Sequence, residues 1–581
     1  MKRTLATDVT GAKDEQVKLQ GWVHSRRDHG GLIFIDLRDH TGLTQLTIRP
    51  EEVDKQVFAA AESIRDEFVI EATGTVQERD EELKNPHIAT GDVEVVVQSL
   101  RVLNKAETPP IHIHGEDQSS EENRLKYRYL DLRREKMQLM LKKRAEMYKI
   151  IREYMEKNDF TEIATPVLAN SSPEGARDFL IPSRLHQGKF YALPQAPQQF
   201  KQLLMVGGVH RYYQFAACFR DEDPRADRLY GEFYQLDMEM SFVEDGEEVR
   251  EIIDPLISGL VKDFAGKTLQ NDNIPRITYA EAMEKYGSDK PDTRFGMELV
   301  DLTEKLTDCG FGVFKKAIDD GGAVKAIAVP KQFSRSEIDK LTDLAKQEGA
   351  GGLPYMIVEN GVATSSIAKF FSDDELATIL ETVGAKDGDT IFFGSDKRDK
   401  VNKVLGGMRS HLGNELGLKD PDVVAALWVI DFPFYEWDEK ANKLDFGHNP
   451  FSMPKDGVEA LEKEDKLSIV ADQFDLVMNG YEASSGAVRN HNPEIMYRAF
   501  AALGYDAEYV ESKFGAMLNA FKYGAPPHAG CAPGMDRIFM VLMGEDNIRE
   551  IIAFPKNGSG VDVMMNSPSE IDPEQLKELG L

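Results

Sequence analysis

The residues best suited to chemistry are two arginines that stand beside small or acidic residues in widely separated parts of the chain. Arg537 follows residues 530–534 (Gly-Cys-Ala-Pro-Gly), whose small side chains leave space for a ligand. Arg220 opens an acidic run at residues 220–223. A guanidinium is a permanently charged planar fork that suits phosphate or stacking on a base. The pattern predicts a site for a planar or phosphorylated ligand, although a glycine-rich turn before a buried helix explains the stretch before Arg537 equally well.

Composition and charge limit the classes of protein that the chain can represent. Its 581 residues, 41% hydrophobic and 29% charged, predict a globular protein of three or four domains. Apolar runs stay shorter than the roughly 20 residues that cross a bilayer, and the first residues lack the apolar core of a signal peptide. We therefore expect a cytoplasmic protein without membrane attachment. A net charge of -30 argues against a general nucleic-acid coat, so any RNA contact must be local.

Two regions have clear secondary-structure patterns. Alternating runs separated by turn residues predict five short strands, and such a set suggests a small closed barrel of the OB type that binds on its outer face. The runs span residues 17–23, 32–37, 44–48, 68–75 and 93–102. Further on, apolar residues at helical spacing predict the inner face of a long helix, which comprises Met137, Leu141, Ala145, Tyr148, Ile151 and Met155.

Three segments together resemble the signature motifs of the class II aminoacyl-tRNA synthetases. The first is residues 160–166, the second combines residues 219–223 with 232–237, and the third is residues 530–537. Two further sequence segments indicate which subgroup of the class the chain resembles. Residues 124–134 are similar to the segment that joins two domains in aspartyl- and lysyl-type members, and residues 286–292 resemble a segment of the bacterial aspartyl members. The chain is thereby identified as a member of the bacterial-type aspartyl-tRNA synthetases.

The family has a multidomain α+β fold. The resemblance implies an N-terminal OB-fold β-barrel, a class II catalytic domain with an antiparallel sheet flanked by helices, and an inserted α+β domain. The implied boundaries are 1–107 for the anticodon-binding barrel, 108–135 for a hinge, 136–288 for the first part of the catalytic domain, 289–416 for the insertion, 417–560 for the second part and 561–581 for a C-terminal extension.

The resemblance also implies a ligase reaction. Such an enzyme activates L-aspartate with ATP to aspartyl-adenylate and then transfers the aspartyl group to the 3′ end of tRNA, with Mg2+ bound through ATP. Arg220 and Arg537 match the catalytic arginines, which would position groups and neutralise charge. Asp475 and Glu482 match the magnesium ligands. The implied nucleotide site comprises Arg220, Asp221, Glu222, Phe233, Glu482, Gly534, Met535, Asp536 and Arg537.

The amino-acid pocket must be cationic, because aspartate differs from asparagine by a charged oxygen in place of an amide nitrogen. Lys201 and Arg489 match the pair that grips this carboxylate, although either cation alone could equally form an ordinary salt bridge. The implied aspartate site comprises Glu174, Gln198, Lys201, Arg220, Gln235, Asp237, His448 and Arg489, with Glu174 on a loop that closes over the substrate. Departures from the commonest bacterial pattern occur around this pocket, at Ala196, Asn449 and the pair Ser484-Ser485.

The barrel resembles the anticodon reader of the family, with implied contacts from Arg26, Arg27, His29, Phe34 and Gln45. Phe34 would stack on the central base and Gln45 would hydrogen-bond it, whereas the alternative for Phe34 is a core aromatic. Histidine before glycine at position 29 resembles the relaxed enzymes that charge both tRNA-Asp and tRNA-Asn. A relaxed enzyme implies an amidotransferase partner for the mischarged product. The alternatives are a turn residue at this position and a strictly discriminating enzyme.

Other classes of protein stay open from the sequence. Lysyl- and asparaginyl-tRNA synthetases share the hinge and barrel, but the Lys201 and Arg489 pair and the insertion favour aspartate. An ammonia-dependent asparagine synthetase with the same catalytic fold would lack the barrel. A non-catalytic RNA-binding paralogue would be expected to lose Arg220, Arg537 or the acids, all of which this chain has. The first motif usually builds a subunit interface, so the resemblance implies a symmetric homodimer.

Overall fold

The computed structural model describes residues 1–115, 119–171 and 175–581, and contacts between residues divide the chain into two units. The first unit comprises 1–142 with two short C-terminal pieces, 553–557 and 561–568, and the second comprises the rest. Over these described ranges, no helix is long and apolar enough to cross a membrane. Glu174, predicted to contact the substrate, lies outside the described residues. The bounds of the six predicted segments stay predictions.

Five strands of the first unit close into a barrel in the order β1-β2-β3-β5-β4. They are β1 (Gln16–His29), β2 (Leu32–Arg38), β3 (Leu43–Ile48), β4 (Val69–Glu78) and β5 (Val93–Asn104). Alternate residues fill the interior, as in β2, where Ile33, Ile35 and Leu37 are buried. β3 and β5 pair in parallel and the other neighbours are antiparallel. The five-stranded barrel predicted from the alternation is confirmed, with longer strands than expected.

A buried acid, Glu67, ties the barrel to the chain that follows it. Its carboxylate accepts hydrogen bonds from Arg38 at 2.9 Å and from Arg133 at 2.8 Å, and His114 lies 3.2 Å away. Burial alone would raise the pKa of this carboxyl, but the hydrogen bonds from His114 and Arg38 outweigh it and lower the pKa to about 2. The ion cluster therefore contributes stability wherever Glu67 is ionised.

The long helix predicted from periodicity is present, but its buried face differs in part. The helices of this region are α1 (Ala6–Val9), α2 (Lys55–Ser63), α3 (Glu121–Lys126), α4 (Arg128–Asp131) and α5 (Glu135–Lys157), of which α5 extends into the second unit. Met137, Ile151 and Met155 are buried as predicted. Ala145 is exposed, and Met140 and Met147 are buried instead. Met140 and Met147 lie one and two positions from the predicted Leu141 and Ala145, so the buried face is turned slightly from the expected one.

The second unit contains the following strands and helices. They are β6 (Thr161–Glu162), β7 (Leu180–Pro182), β8 (Phe190–Ala192), α6 (Gln198–Val206), β9 (Arg211–Arg220), β10 (Gly231–Ser241), α7 (Glu247–Gly259), β11 (Thr268–Leu269), β12 (Arg276–Thr278), α8 (Tyr279–Tyr286), β13 (Val300–Asp301), α9 (Gly312–Asp319), β14 (Ala323–Val329), α10 (Arg335–Gln347), β15 (Tyr355–Glu359), β16 (Val362–Thr364), α11 (Asp373–Val383), β17 (Thr390–Asp396), α12 (Arg398–Glu415), β18 (Val423–Val424), β19 (Ala426–Ile430), β20 (Tyr435–Asp438), β21 (Lys443–Phe446), α13 (Gly457–Ala460), β22 (Gln473–Met478), β23 (Tyr481–Val488), α14 (Pro493–Ala502), α15 (Ala507–Phe521), β24 (His528–Pro533), α16 (Met535–Met543) and α17 (Pro573–Leu579).

The main sheet of this unit has eight strands in the order β12-β19-β22-β23-β24-β10-β9-β6. All neighbours from β19 to β9 are antiparallel, and the two edge strands, β12 and β6, add in parallel. Helices α6, α7 and α16 contact its central strands. β22 and β23 are joined by the Asn-Gly turn at residues 479–480, a pair typical of tight hairpins. The predicted antiparallel sheet with flanking helices is thereby confirmed.

A second sheet lies within the region predicted as an insertion. Its five strands follow the order β13-β14-β17-β15-β16. Helices α9 to α12 belong to the same stretch of chain, and two clusters of buried apolar residues form around these elements. The stretch therefore has α+β structure with hydrophobic cores of its own, as the family resemblance implies.

Candidate active site

One face of the main sheet carries polar side chains from adjacent strands. Side chains alternate along a strand, so Phe233, Gln235, Asp237 and Glu239 of β10 project to the same side. Arg220, at the end of β9, pairs with the residue two positions before Phe233 and shares this side. Its Cζ lies 5.0 Å from the centre of the Phe233 ring, and its buried Nε lacks a hydrogen-bond partner within the described part of the chain. We call this side of the sheet the polar face.

Two carboxylates, which we call the acid pair, meet on the β22–β23 hairpin. Asp475 pairs with Ser485, and a β-bulge then brings Glu482 opposite Val477, which returns Glu482 to the side of Asp475. Asp475 is buried and its Oδ1 has no hydrogen-bond partner among the described residues. Burial and the nearby charge of Glu482 raise the pKa of Asp475 well above its usual range. Like charges held this close, with an unpaired oxygen, favour a cation.

The acid pair suits Mg2+ delivered with a phosphate ligand. Mg2+ is commonly held by one or two carboxylates, with substrate phosphates and water completing its shell. Across residues 1–115, 119–171 and 175–581, no group of three or more His, Cys, Asp or Glu side chains is arranged to hold a metal. Asp475 and Glu482 could therefore supply two ligands, and the remaining ligands would have to come from the nucleotide and water.

Four buried charges, which we call the charge cluster, lie further along the polar face. Lys201 of α6 is 2.8 Å from Asp237 and 3.3 Å from Glu239. Arg489 contacts Glu239 through Nε at 3.0 Å and donates to the carbonyl of Gly530 at 3.1 Å. Each of the four side chains is at most 6% exposed. Buried ions persist when they are paired and hydrogen-bonded, and two cations with two anions leave the cluster without net charge.

The two acids of the charge cluster differ in how well they are compensated. Burial raises the pKa of Asp237 despite the neighbouring Lys201. Burial also disfavours ionised Glu239, but the charges of Arg489 and Lys201 outweigh burial and lower its pKa. Asp237 Oδ1 is buried and has no hydrogen-bond partner among the described residues. The cluster therefore offers an unpaired carboxylate oxygen beside two cations, a combination that suits a ligand with both an ammonium and a carboxylate.

Gln198 and Gln235, also predicted for the amino acid, stand on the two elements that carry Lys201 and Asp237, whereas the charged neighbours of His448 are Asp289, Glu482 and Lys290. Gln198 is buried at the start of α6 and donates to Gln202 at 3.1 Å. Gln235 accepts a hydrogen bond from the Cys218 thiol at 3.2 Å. The ring of His448 keeps exposed surface, yet crowding by the surrounding protein lowers its pKa.

Arg537 lies in the first turn of α16 and is bound on two sides. One Nη is 3.1 Å from the carboxylate of Asp227, in the loop between β9 and β10, and the other donates to the carbonyl of Glu482. At the start of the same helix, Gly534 donates from its backbone to Ala483 at 2.7 Å. The first turn of α16 therefore connects the second and third motifs predicted from the sequence.

Other predicted nucleotide residues already have partners within the protein. Glu222 pairs with Arg228 at 2.5 Å, and Asp221 accepts from Tyr230 at 3.1 Å. Met535 is buried. Both oxygens of buried Asp536 are engaged, one by Arg144 and the other by the backbone N–H of Tyr234 at 3.0 Å. These contacts fix α16 and the loop in place, whereas the predicted roles in ATP binding stay predictions.

Sequence reasoning missed several charged residues that the structure places here. Glu239 stands two positions after Asp237, so the strand period could have identified it. Asp227 lies in the loop between the two halves of the second motif, outside the residues that carry the resemblance. Arg144 pairs with a residue 392 positions away, so no local signal identifies this contact. Gly530 was expected to leave space for a ligand, but the structure places a side chain of the protein in that space. A Cβ there would lie 2.2 Å from a Glu239 carboxylate oxygen, so this glycine gives space to the charge cluster.

The five residues predicted to bind the anticodon occur on one region of the barrel. Phe34 stands at an outward position of β2, between buried Ile33 and Ile35, which argues against a core role. Its ring lies edge-on to His29, with centroids 6.0 Å apart. Arg27 pairs with Phe34 in the register and donates to Gln45 at 3.4 Å. Part of the Arg26 guanidinium is already engaged within the barrel, since its Nε donates a hydrogen bond to the carbonyl of Ala61 at 3.0 Å.

A closed five-stranded barrel, followed by an antiparallel sheet that carries two arginines and several acids, is the architecture of a class II tRNA synthetase. The model of the class II tRNA synthetases (D, K and N) matches residues 120–558, and that of the OB-fold nucleic acid binding domain matches residues 17–103. The chain belongs to the class II tRNA synthetases of the D, K and N group.

Two similar proteins match this chain over nearly its whole length. The chain is 50% identical over 571 residues to the aspartate–tRNA(Asp/Asn) ligase of Chlorobium chlorochromatii, covering 98% of this chain and 94% of that protein. It is 52% identical over 567 residues to the ligase of the same name from Acidiphilium cryptum, covering 97% and 95%.

Two solved structures have the same fold. The asparaginyl-tRNA synthetase of Pyrococcus horikoshii, complexed with asparaginyl-adenylate, matches with a TM-score of 0.60 at 18% identity, covering 99% of this chain and 100% of that one. The aspartyl-tRNA synthetase of Entamoeba histolytica matches with a TM-score of 0.58 at 19% identity, covering 96% and 92%.

Proposed function

We propose that the protein is an aspartate–tRNA ligase that activates L-aspartate with ATP and charges both tRNA-Asp and tRNA-Asn. The observation that carries the proposal is the buried charge cluster, in which Lys201 and Arg489 stand beside an unpaired oxygen of Asp237. Relatives about half identical over nearly the whole chain bear the name aspartate–tRNA(Asp/Asn) ligase.

In this proposal the charge cluster selects aspartate. Lys201 and Arg489 bind the side-chain carboxylate, and Asp237, with Gln198 and Gln235 nearby, binds the α-ammonium group. Asparagine would place an amide N–H against cationic donors and leave buried groups unpaired, at a cost of about 1–3 kcal/mol for each group. Glu174 and His448 complete the proposed pocket.

The polar face would bind ATP next to the amino acid. Arg220 neutralises charge that develops between the reacting carboxylate and the α-phosphate, and Phe233 and Arg537 stack on the adenine from opposite sides. Asp221, Glu222, Gly534, Met535 and Asp536 shape the nucleotide site. Mg2+ held by Asp475 and Glu482 would supply further neutralisation of phosphate charge when ATP is bound. No protein nucleophile takes part, because the substrate carboxylate itself attacks phosphorus and pyrophosphate leaves.

The barrel would read the anticodon with exposed aromatic and polar groups. Phe34 stacks on a base, Gln45 hydrogen-bonds it, and Arg26, Arg27 and His29 contact neighbouring nucleotides. Charging of tRNA-Asn with aspartate requires an amidotransferase in the same cell to convert the product. We further propose a homodimer, and a cytoplasmic location, where tRNA is charged.

Parallel charging reactions test this function. The purified protein would be incubated with ATP, Mg2+ and labelled aspartate or asparagine, with tRNA-Asp or tRNA-Asn transcripts as acceptors. We expect aspartate, and not asparagine, on both tRNAs. Charging of tRNA-Asp alone would refute the relaxed specificity, and failure of aspartate on both would refute the proposed function itself.

A further inference from the structure

Lys290, which lies outside the signature motifs, contacts one member of the acid pair. Lys290 Nζ lies 3.7 Å from Glu482 Oε2 and 3.7 Å from Asp289 Oδ2, and its side chain is 46% exposed. The other member of the acid pair, Asp475, has the unpaired buried oxygen described above. A protein cation therefore stands at the place where the two carboxylates would attract a metal ion.

The segment that carries Lys290 is fixed by the last helix of the five-stranded-sheet region. Arg409 of α12 is 1% exposed and donates to the carbonyls of Asp292 at 2.9 Å, Phe295 at 2.8 Å and Gly296 at 3.1 Å. Its guanidinium also stacks on the Phe295 ring, 4.2 Å from the centre. A buried guanidinium with three backbone acceptors allows little movement of the segment.

Two close approaches of the backbone hold the same segment on either side. A Cβ on Gly287 would lie 2.1 Å from the carbonyl oxygen of Asn402, so the segment begins in direct backbone contact with α12. On the other side, a Cβ on Gly480 would lie 3.1 Å from Asp292 Cβ, which puts the segment against the turn of the β22–β23 hairpin. The hairpin carries the acid pair, so α12 and the acid pair are linked through residues 287–296.

We propose that Lys290 is a positioning residue that acts as the counter-ion of the acid pair until a nucleotide brings its own cation, and that Arg409 holds it there. An ammonium group competes for Glu482 and repels a dication, and both effects weaken metal binding to the free protein. The acid pair would then fill with metal only when phosphate oxygens add ligands. The nucleotide in this scheme rests on the proposed function, whereas the electrostatic effect on the free protein does not.

Binding of Mn2+ to the nucleotide-free, full-length protein tests the proposal, with electron paramagnetic resonance as the readout. The relevant site is defined as the one lost in Asp475→Asn. We expect Lys290→Met to bind Mn2+ at this site about 1.5- to fivefold more tightly, the scale of one partly exposed charge contact. Lys290→Arg should resemble the unmodified protein. Lys463→Met, which removes a comparably exposed lysine paired with Asp456 at 3.0 Å, is the matched control and should change nothing.

Unchanged or weaker Mn2+ binding in Lys290→Met would overturn the proposal. The anchoring step is tested with Arg409→Met, after circular dichroism has established that the variant is folded. This variant should tighten Mn2+ binding in the same direction, and the double variant should add nothing further. Because Arg409 is buried, a variant that fails to fold is replaced by Arg409→Lys, which keeps the charge but loses the fork and should give a smaller shift. Aspartate charging by the unmodified protein is measured separately, so its absence would refute the proposed function and leave the Mn2+ result interpretable.

Discussion

Replacement of Arg489 by leucine tests whether the charge cluster recognises aspartate. Arg489 contacts both oxygens of Glu239, at 3.0 and 3.3 Å, and the carbonyl of Gly530. Leucine keeps an apolar stem but removes the charge and all three hydrogen bonds. Glu239 then retains Lys201 at 3.3 Å as its cationic partner, and Lys201 must also serve Asp237. The pocket loses one of the two cations proposed to grip the substrate carboxylate.

Two separate effects can be estimated for this variant. A hydrogen bond to a charged group contributes about 1.5–3 kcal/mol, so kcat/KM for aspartate should fall roughly ten- to 150-fold. Removing one partner of a buried ion pair costs about 3–5 kcal/mol of stability. The expected result is therefore a less stable protein with weak aspartate activation and a smaller preference over asparagine.

Amino-acid-dependent exchange of pyrophosphate with ATP measures activation without tRNA. The assay would compare aspartate and asparagine for the unmodified protein and for Arg489→Leu. Arg498→Leu is the matched control, because Arg498 is 45% exposed and pairs with Glu494 on the helix surface at 2.7 Å. A surface pair of this kind contributes about 0–1 kcal/mol, so Arg498→Leu should retain both activity and stability.

A double variant separates recognition from stability. Arg489→Leu with Glu239→Gln removes one cation and one anion, so the cluster stays without net charge and stability should largely return. Aspartate activation should stay low, since the proposed carboxylate ligand is still missing. Recovery of activity together with stability would refute the reasoning, because Arg489 would then have only a structural role.

Three further predictions concern other parts of the chain. Phe34→Ala should weaken tRNA binding by about 1–3 kcal/mol, the contribution of one stacked base, with pyrophosphate exchange unchanged; filter binding measures this. Asp536→Asn should destabilise the second unit by about 3 kcal/mol through loss of a buried ion pair, seen as a lower melting temperature. Glu67 has a pKa of about 2 against an ordinary 4.5, so its stabilisation is full above about pH 4.5 and disappears as the pH falls towards 2. Glu67→Gln should therefore lower stability at pH 7 by about 3 kcal/mol at most, measured by urea unfolding, with the difference shrinking at pH 3.

Each of these predictions has a contrary outcome. Normal tRNA binding by Phe34→Ala would show that the outward ring has no part in recognition. A melting temperature of Asp536→Asn equal to that of the unmodified protein would show that its two contacts contribute nothing net. A stability difference for Glu67→Gln that is as large at pH 3 as at pH 7 would mean that packing, rather than ionisation, explains the effect.

The barrel could be predicted because buried and partly exposed residues alternate through β2, through most of β4 and through the first half of β1. Alternation along β2 did not by itself show whether Phe34 points outward, because an aromatic residue fits either face of the strand. The register of the barrel decides this. Helical spacing predicted α5 but assigned Ala145 to its buried face, because alanine is compatible with both environments. The neighbouring methionines Met140 and Met147 were the stronger apolar signal.

The candidate site was predictable where motifs carried it and was missed where partners come from distant segments. Lys201, Asp237 and Arg489 lie together as the resemblance implied. Glu239 completes their charge balance, but nothing in the sequence alone shows that two cations need a second acid. Lys290 lies within residues 286–292, which the resemblance identified, but its distance to Glu482 depends on how α12 holds the segment.

The bulge in the β22–β23 hairpin makes the position of Glu482 depend on an irregular register. Ala483 is the extra residue between Ser484, which pairs with Leu476, and Glu482, which pairs with Val477. If the bulge were flattened at constant chain length, Ala483 would pair with Val477, and simple alternation would turn Glu482 to the opposite side of the sheet from Asp475. Deleting Ala483 has no such effect, because Glu482 would then follow Ser484 directly and still pair with Val477. During divergence, the two carboxylates should therefore stay together through loss of residue 483 but separate through a change that makes the hairpin regular at its present length.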